Sequence, residues 1–137
     1  MQAHERTHDL EQALRWAWDR RQLLHDDPDT DVYRVFHGFV EGLAGLDIEK
    51  FGPVARAVWK NDADLQTDVL CRTLTELGQF ETIVVRHAHQ SSRADTRVEL
   101  LHEDGAAANS DAELNPETEI QVREFGLRFL VRPFAQG

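Results

Sequence analysis

His87 and His89 flank Ala88 at the end of the run Thr82-Ile83-Val84-Val85-Arg86. Alternate residues of a strand share a face, so the two imidazoles would project together. With His102 or Cys71 as further donors the pair could hold zinc, which takes three or four nitrogen or sulfur ligands in tetrahedral geometry. No second His-x-His and no Cys-x-x-Cys pair accompanies it, and an isolated His-x-His is more often a plain strand face. A small metal-dependent enzyme using His87 and His89 is therefore the third of three readings. Cys71 follows Leu70 inside a helical pattern, where a lone thiol is usually a small core residue rather than a nucleophile.

Arg34 and His37 stand beside a cluster of glycines. An arginine offers a forked pair of donors to a phosphate or a carboxylate, so the two residues are candidates for contact with RNA or with a neighbouring domain. The opposing interpretation has Arg34 pairing with Glu49 across a hairpin while His37 caps the turn. Arg128 and Arg132 are candidates for the same kind of contact near the C-terminus. Glu41 and Glu49 could suggest paired catalytic carboxylates, but that chemistry needs them on either side of a cleft, and nothing in the sequence indicates one.

The elements that must position these residues are legible from periodicity. Asp9 to His25 reads as a helix, with Asp9 and Gln12 as a capping box and Leu10, Leu14, Ala17, Trp18 and Leu24 along one stripe. Of Trp16 and Trp18, which lie on different faces, one is expected to pack in a core. Pro28 closes this segment. Strands follow at Val32 to His37, Leu46 to Phe51 and Val54 to Trp59, the first two separated by Gly38, Gly42 and Gly45, which read as a tight reversal. Val54 to Trp59 is mostly apolar on both faces, which suits a central strand. Asp64 to Leu77 predicts a second helix with Gly78 as its C-cap. Thr82 to Ala88 and Val98 to His102 predict further strands, with Gly105 to Asp111 as an insertion. Ile120 and Val122 alternate with polar residues, as do Leu127, Phe129 and Val131, and Phe125-Gly126 between them suits a type I′ turn. The resulting class is α+β: an N-terminal helix and linker over residues 1–31, then a small unit over 32–137. That unit has a mixed, mainly antiparallel sheet, one packed helix and a C-terminal β-hairpin.

Charge narrows the function. The chain has 137 residues with 25 acids against 15 bases, a formal net charge of −10. Phosphate backbones are held by cationic side chains, so autonomous RNA binding is disfavoured overall. A local basic patch is still open to Arg86, Arg93, Arg97, Arg123, Arg128 and Arg132 of the C-terminal half, while the acids concentrate in Asp26 to Asp31, Asp62 to Asp68 and Glu103 to Glu119. No apolar run approaches the roughly 20 residues of a membrane span, and the N-terminus lacks the apolar core of a signal peptide. The single cysteine permits no internal disulfide and agrees with a reducing compartment. A cytoplasmic location with no membrane partner is the expectation.

Two segments resemble one family. Tyr33-Arg34, His37-Gly38, Gly42-Leu43, Gly45-Leu46 and Ile48-Glu49-Lys50-Phe51-Gly52 resemble the region leading into the methyltransferase domain of the class I, S-adenosylmethionine-dependent ribosomal RNA methyltransferases that make 5-methylcytosine. Glu41, Ala44 and Asp47 stand where that pattern has Asp, Pro and an apolar residue. Val122 to Pro133 is similar to the hairpin that runs into the cofactor-binding domain of the same family.

The resemblance implies a non-catalytic accessory domain, substrate-side or positioning, of an RNA methyltransferase. The glycine-rich cofactor loop and the catalytic Asp-Pro-Pro segment of that family lie beyond the position matched by Pro133. No Gly-x-Gly follows any strand here. The expectation is therefore no cofactor in this chain, S-adenosylmethionine being bound by the full-length relative, and no catalytic or metal residue. The implied partners are a methyltransferase catalytic domain, in cis or in trans, and ribosomal RNA through the larger enzyme. The chain is either a piece of such an enzyme or complete near Gly137. Without the catalytic partner, an apolar patch at Leu127 to Phe134 would favour a homodimer. The alternative is a free-standing protein-interaction module that docks through its hairpin or its Trp-bearing helix.

Overall fold

The computed structural model describes residues 3–61, 63–88, 97–101 and 117–134. Their order is α1 (Ala3–Asp19), α2 (Gln22–His25), β1 (Val32–His37), α3 (Gly38–Glu41), β2 (Leu46–Phe51), β3 (Val54–Trp59), α4 (Thr67–Gly78), β4 (Thr82–His87), β5 (Arg97–Leu101), β6 (Ile120–Glu124) and β7 (Leu127–Val131). Strands β1 to β5 form one sheet in sequence order, and β6–β7 form a separate antiparallel hairpin. Within the larger sheet only β3 and β4 run parallel. A parallel pair cannot be joined by a tight turn, and α4 supplies the crossover. The fold is the α+β arrangement that the sequence predicts, with β3 at the centre of its sheet.

One face of the sheet carries the core. Phe36, Leu46, Ile48, Ala55, Ala57, Trp59, Ile83 and Val85 point from the strands towards Leu10, Leu14 and Ala17 of α1 and Val69, Leu70, Cys71 and Leu74 of α4. Cys71, 1 % exposed, is a core residue. The N-terminal helix thus shares its hydrophobic layer with α4 and the sheet, and Arg15 of α1, paired with Glu11 of its own helix, joins α4 through an ion pair to Glu76. Burial of large side chains is worth about 1.5–3 kcal/mol each, so this layer far outweighs those half-exposed pairs.

Helix boundaries depart from the periodicity. The first helix begins at Ala3 rather than Asp9 and stops at Asp19. Residues 3–8 contain neither glycine nor proline to prevent helix. The break follows from Arg21, whose Nη1 donates to the Ala17 carbonyl at 2.8 Å and whose Nε donates to the Arg34 carbonyl at 2.8 Å. A guanidinium satisfying a terminal carbonyl caps the helix from its own side chain. At α4 the C-cap is Gln79, with φ of 51°, and not Gly78. Gly78 serves packing instead: a Cβ there would lie 2.5 Å from Phe80 and 2.8 Å from Trp18. The helix also starts three residues later than Asp64, because Trp59 Nε1 donates to the Ala63 carbonyl at 2.7 Å and holds that stretch as a loop.

Trp18 is the packed member of the tryptophan pair. Its ring stacks on His25 at 3.9 Å between centroids and meets Phe80 edge-on at 6.0 Å. His25 in turn places Nδ1 2.6 Å from the Tyr33 hydroxyl and Nε2 2.7 Å from the Trp18 carbonyl. Trp16 is 53 % exposed.

The hairpin is tied to the segment preceding β1. Asp31 and Arg123 exchange bonds, with Asp31 N donating to the Arg123 carbonyl at 2.7 Å and Arg123 N donating to Asp31 Oδ1 at 2.6 Å. Phe125 N donates to Thr30 Oγ1 at 3.0 Å, and Gly126 N donates to the Asp29 carbonyl at 2.9 Å. Phe125 and Gly126 have φ of 51° and 85°, the positive pair that a type I′ turn requires. Val122 is wholly buried, whereas Leu127, Phe129 and Leu130 of β7 remain exposed.

Burial lowers the pKa of His25 from its ordinary 6.5, against a smaller upward pull from the bond to the Trp18 carbonyl. The unfolded chain therefore binds a proton more readily than the folded one below about 6.5. Stability contributed by neutral His25 is complete above that pH and falls as pH drops towards the folded-state value. Urea midpoints measured between pH 7 and pH 5 should fall more for the wild type than for His25→Gln, and parallel pH profiles would contradict this.

Candidate functional site

β1 carries Arg34 and His37 three residues apart, a spacing that places side chains on opposite faces of a regular strand. The register shifts between Arg34 and Phe36: Arg34 pairs with Glu49, Phe36 with Ile48 and His37 with Asp47. This β-bulge absorbs one residue, so Arg34 and His37 emerge on the same face, the one opposite the helices. Val35 and Phe36 can then both be buried.

Beyond His37 the chain enters a single turn of helix, α3, and leaves it through Gly42 in the left-handed conformation, φ of 106°. Gly38 permits this tight return. A Cβ at that position would lie 1.9 Å from the Leu43 carbonyl oxygen and 2.4 Å from that of Leu46. The reversal expected between β1 and β2 therefore contains a helical turn, and its glycines serve close approach as well as left-handed backbone.

Glu41 organises this junction. Its side chain is 1 % exposed, and it accepts two parallel bonds from Arg21, Nη1 to Oε2 and Nη2 to Oε1, both at 2.8 Å. The His37 backbone N–H donates to Oε1 at 2.7 Å, and Arg20 Nη1 approaches Oε2 at 3.5 Å. Burial alone pushes the carboxyl pKa up. The Arg21 bonds, the His37 N–H and the charges of Arg21 and Arg20 outweigh it and hold the group below its ordinary 4.5. A carboxylate so enclosed is a structural ion rather than a general acid or base. Glu41 and Glu49 consequently do not act as a catalytic pair.

His37 takes a different role from capping. Its Nδ1 lies 2.8 Å from Asp47 Oδ1 and 3.2 Å from Arg34 Nη1. A carboxylate only accepts, so the bond to Asp47 requires the proton on Nδ1, and the Arg34 guanidinium packs alongside. Arg34 thus sits opposite Glu49 in register while its guanidinium turns towards the imidazole.

The remaining candidates lie elsewhere. Arg128 faces Arg123 across the hairpin, and Arg132 pairs with Glu119 at 3.5 Å and Glu117 at 3.7 Å. The hairpin meets the chain at Asp31, about 20 Å along the strand direction from His37, so the four arginine and histidine candidates form two separate groups. His87 is buried on the core side of β4, at 6 % exposure, while His89 and His102 lie outside the described residues. No group of three metal-type side chains occurs among the described residues. A cavity of about 510 Å³ opens between α1 and the β3–α4 loop, with Leu10, Leu43, Trp59 and Leu65 inside and Asp9 and Asp64 at its rim. No helix among the described residues is long and apolar enough to cross a membrane.

The pairing of Arg21 with Glu41 is what sequence spacing missed. They are 20 positions apart, and neither helical nor strand periodicity links them. Removing one partner of a buried ion pair costs about 3–5 kcal/mol, and the partial exposure of Arg21, 18 %, reduces this to about 2–3 kcal/mol. Glu41→Gln should lose that much in chemical denaturation at pH 7. The stabilisation by wild-type Glu41 is present above the ordinary carboxylate range and disappears as pH falls through its depressed folded-state value. The variant and the wild type should therefore converge in acid, and a gap that persists there would refute this assignment.

No protein-family model and no curated protein matches this chain. Solved structures do. One, described as a candidate SAM-dependent methyltransferase from Streptococcus mutans, superposes with a TM-score of 0.68 at 17 % identity, over 93 % of this chain and 30 % of that one. A second, SMU.776, described as a candidate methyltransferase complexed with SAH, gives a TM-score of 0.68 at 16 % identity over the same shares. The chain spans about 30 % of the length of the structures it matches, and across that span it shares their fold.

Proposed function

We propose that this chain is a non-catalytic accessory domain of a SAM-dependent RNA methyltransferase, acting on the substrate side or positioning the catalytic unit, with ribosomal RNA as the substrate class. The observation that carries this reading is the asymmetry of the structural match, 93 % of this chain against 30 % of a protein described as a candidate methyltransferase. The similarity of Tyr33 to Gly52 and of Val122 to Pro133 to the cytosine-C5 ribosomal RNA enzymes supports the RNA target. Its partner is then a methyltransferase catalytic domain, in cis or in trans, and its setting the cytoplasm. Arg34 and His37 form one candidate contact group, and Arg128 and Arg132 another.

In this role the cofactor belongs to the partner. Titration calorimetry of the chain with S-adenosylmethionine should give no binding heat, and micromolar affinity would overturn the accessory role. The hairpin is the natural docking side for the catalytic unit, because it exposes apolar side chains all round its free edge, Phe125 at 75 % in the turn, Leu127 at 66 % on one face of β7 and Leu130 at 67 % on the other, and β7 has no second neighbour among the described residues. In the absence of that partner the surface should drive homodimerisation. Light scattering at rising concentration should show association that Leu130→Lys weakens, and a clean monomer at high concentration would count against the docking assignment.

A further inference from the structure

Around the Glu41 clasp the surface departs from the character of the chain as a whole. Trp16 is 53 % exposed, Phe39 83 % and Val40 61 %, an apolar display that a buried salt bridge does not require. The guanidinium carbon of Arg20 lies 4.4 Å above the Trp16 ring, and the His37 ring lies 6.5 Å from that of Phe39. Arg34 completes the group through its contact with His37. The nearby acids are largely engaged: Glu41 by Arg21 and Arg20, and Asp47 by His37 and, at 4.0 Å, Lys60. Glu49 lies between Arg34 and Arg56 in register, and Asp19 is exposed on α1.

In a chain of net charge −10, this region combines flat aromatic faces with guanidinium groups and few uncompensated acids. Stacking platforms interleaved with arginines are the means by which proteins hold unpaired nucleotides, the rings taking bases and the cations taking phosphates. We infer that the surface formed by Trp16, Arg20, Arg34, His37, Phe39 and Val40 binds single-stranded RNA, with Phe39 and Trp16 stacking on bases and Arg34 contacting the backbone. This rests on the RNA-directed role proposed above and gives that role a location, at the end of β1 remote from the hairpin. The bulge turns Arg34 to the side of His37, and the Glu41 carboxylate, touched by Arg20 Nη1 at 3.5 Å and by the His37 N–H at 2.7 Å, joins that pair to Arg20 and Trp16 at the edge of α1. The overall negative charge makes the affinity of the isolated chain modest and confines it to low ionic strength.

The test is fluorescence anisotropy of a labelled oligouridylate decamer with the full chain at low ionic strength, repeated across a salt series. The wild type should bind. Phe39→Ala should raise Kd about five-fold or more. Arg34→Gln should raise Kd and reduce the slope of log affinity against log salt by about 0.7. Both side chains reach solvent, and unchanged urea midpoints would exclude misfolding. Glu81→Gln, an exposed site at the end of the sheet away from His37, should leave binding unchanged. Absence of binding, indifference to both substitutions at the Glu41 junction, equal affinity for duplex RNA, or an equal loss in Glu81→Gln would each overturn the assignment. Cofactor binding together with intact decamer binding would refute the accessory role and leave this surface standing. The converse pattern would do the opposite.

Discussion

The junction of helices and sheet depends on how a single buried carboxylate is satisfied. Glu41 reaches the interior from a one-turn helix, and without Arg21 it would be an unpaired charge in a site that excludes water. The two Arg21 bonds at 2.8 Å do more than neutralise it. The same guanidinium closes the end of α1 by bonding Ala17 and holds the strand backbone at Arg34. One side chain therefore sets where the first helix stops, where the first strand lies against it and how the chain turns into β2. A lysine could supply the charge but not this planar fork.

The sheet has two unlike sides. Its helix-facing side is continuous and apolar, and it incorporates α1 as fully as α4. Its other side carries Arg34, His37, Asp47 and Glu49 in register across β1 and β2. The bulge in β1 determines this separation, since it allows Val35 and Phe36 to be buried consecutively while the polar residues on either side share one surface. The hairpin stands apart, fastened to residues 29–31 through backbone bonds and Val122, with β7 overhanging. A domain built in this way has a rigid interior and two differently composed surfaces, basic and aromatic at one end of β1 and aliphatic at the other.

Much of the fold was legible in the sequence because it rests on local rules. The five strands of the larger sheet follow from β-branched runs and alternation, the central place of β3 from its apolar faces, and the hairpin turn from a Phe-Gly pair. Helix limits were less legible, because their causes were remote: Arg21 capping α1 from its side chain, and Trp59 holding Ala63 out of α4. Cys71 was readable as core from its neighbours. Which tryptophan packs was not, since that depends on His25 and Phe80 arriving from other elements.

For the candidate site the division is sharper. The sequence alone determined which residues stand beside the glycines and that Gly38 to Gly45 must reverse the chain, because backbone conformation and side-chain chemistry are properties of the residues themselves. Only the tertiary structure decided that Arg34 and His37 share a face, that Glu41 is a structural ion held from 20 residues away, and that Arg128 and Arg132 belong to a separate surface. The physical reason is that register, burial and charge pairing are relations between segments distant along the chain. A bulge of one residue inverts them without leaving any mark in local composition.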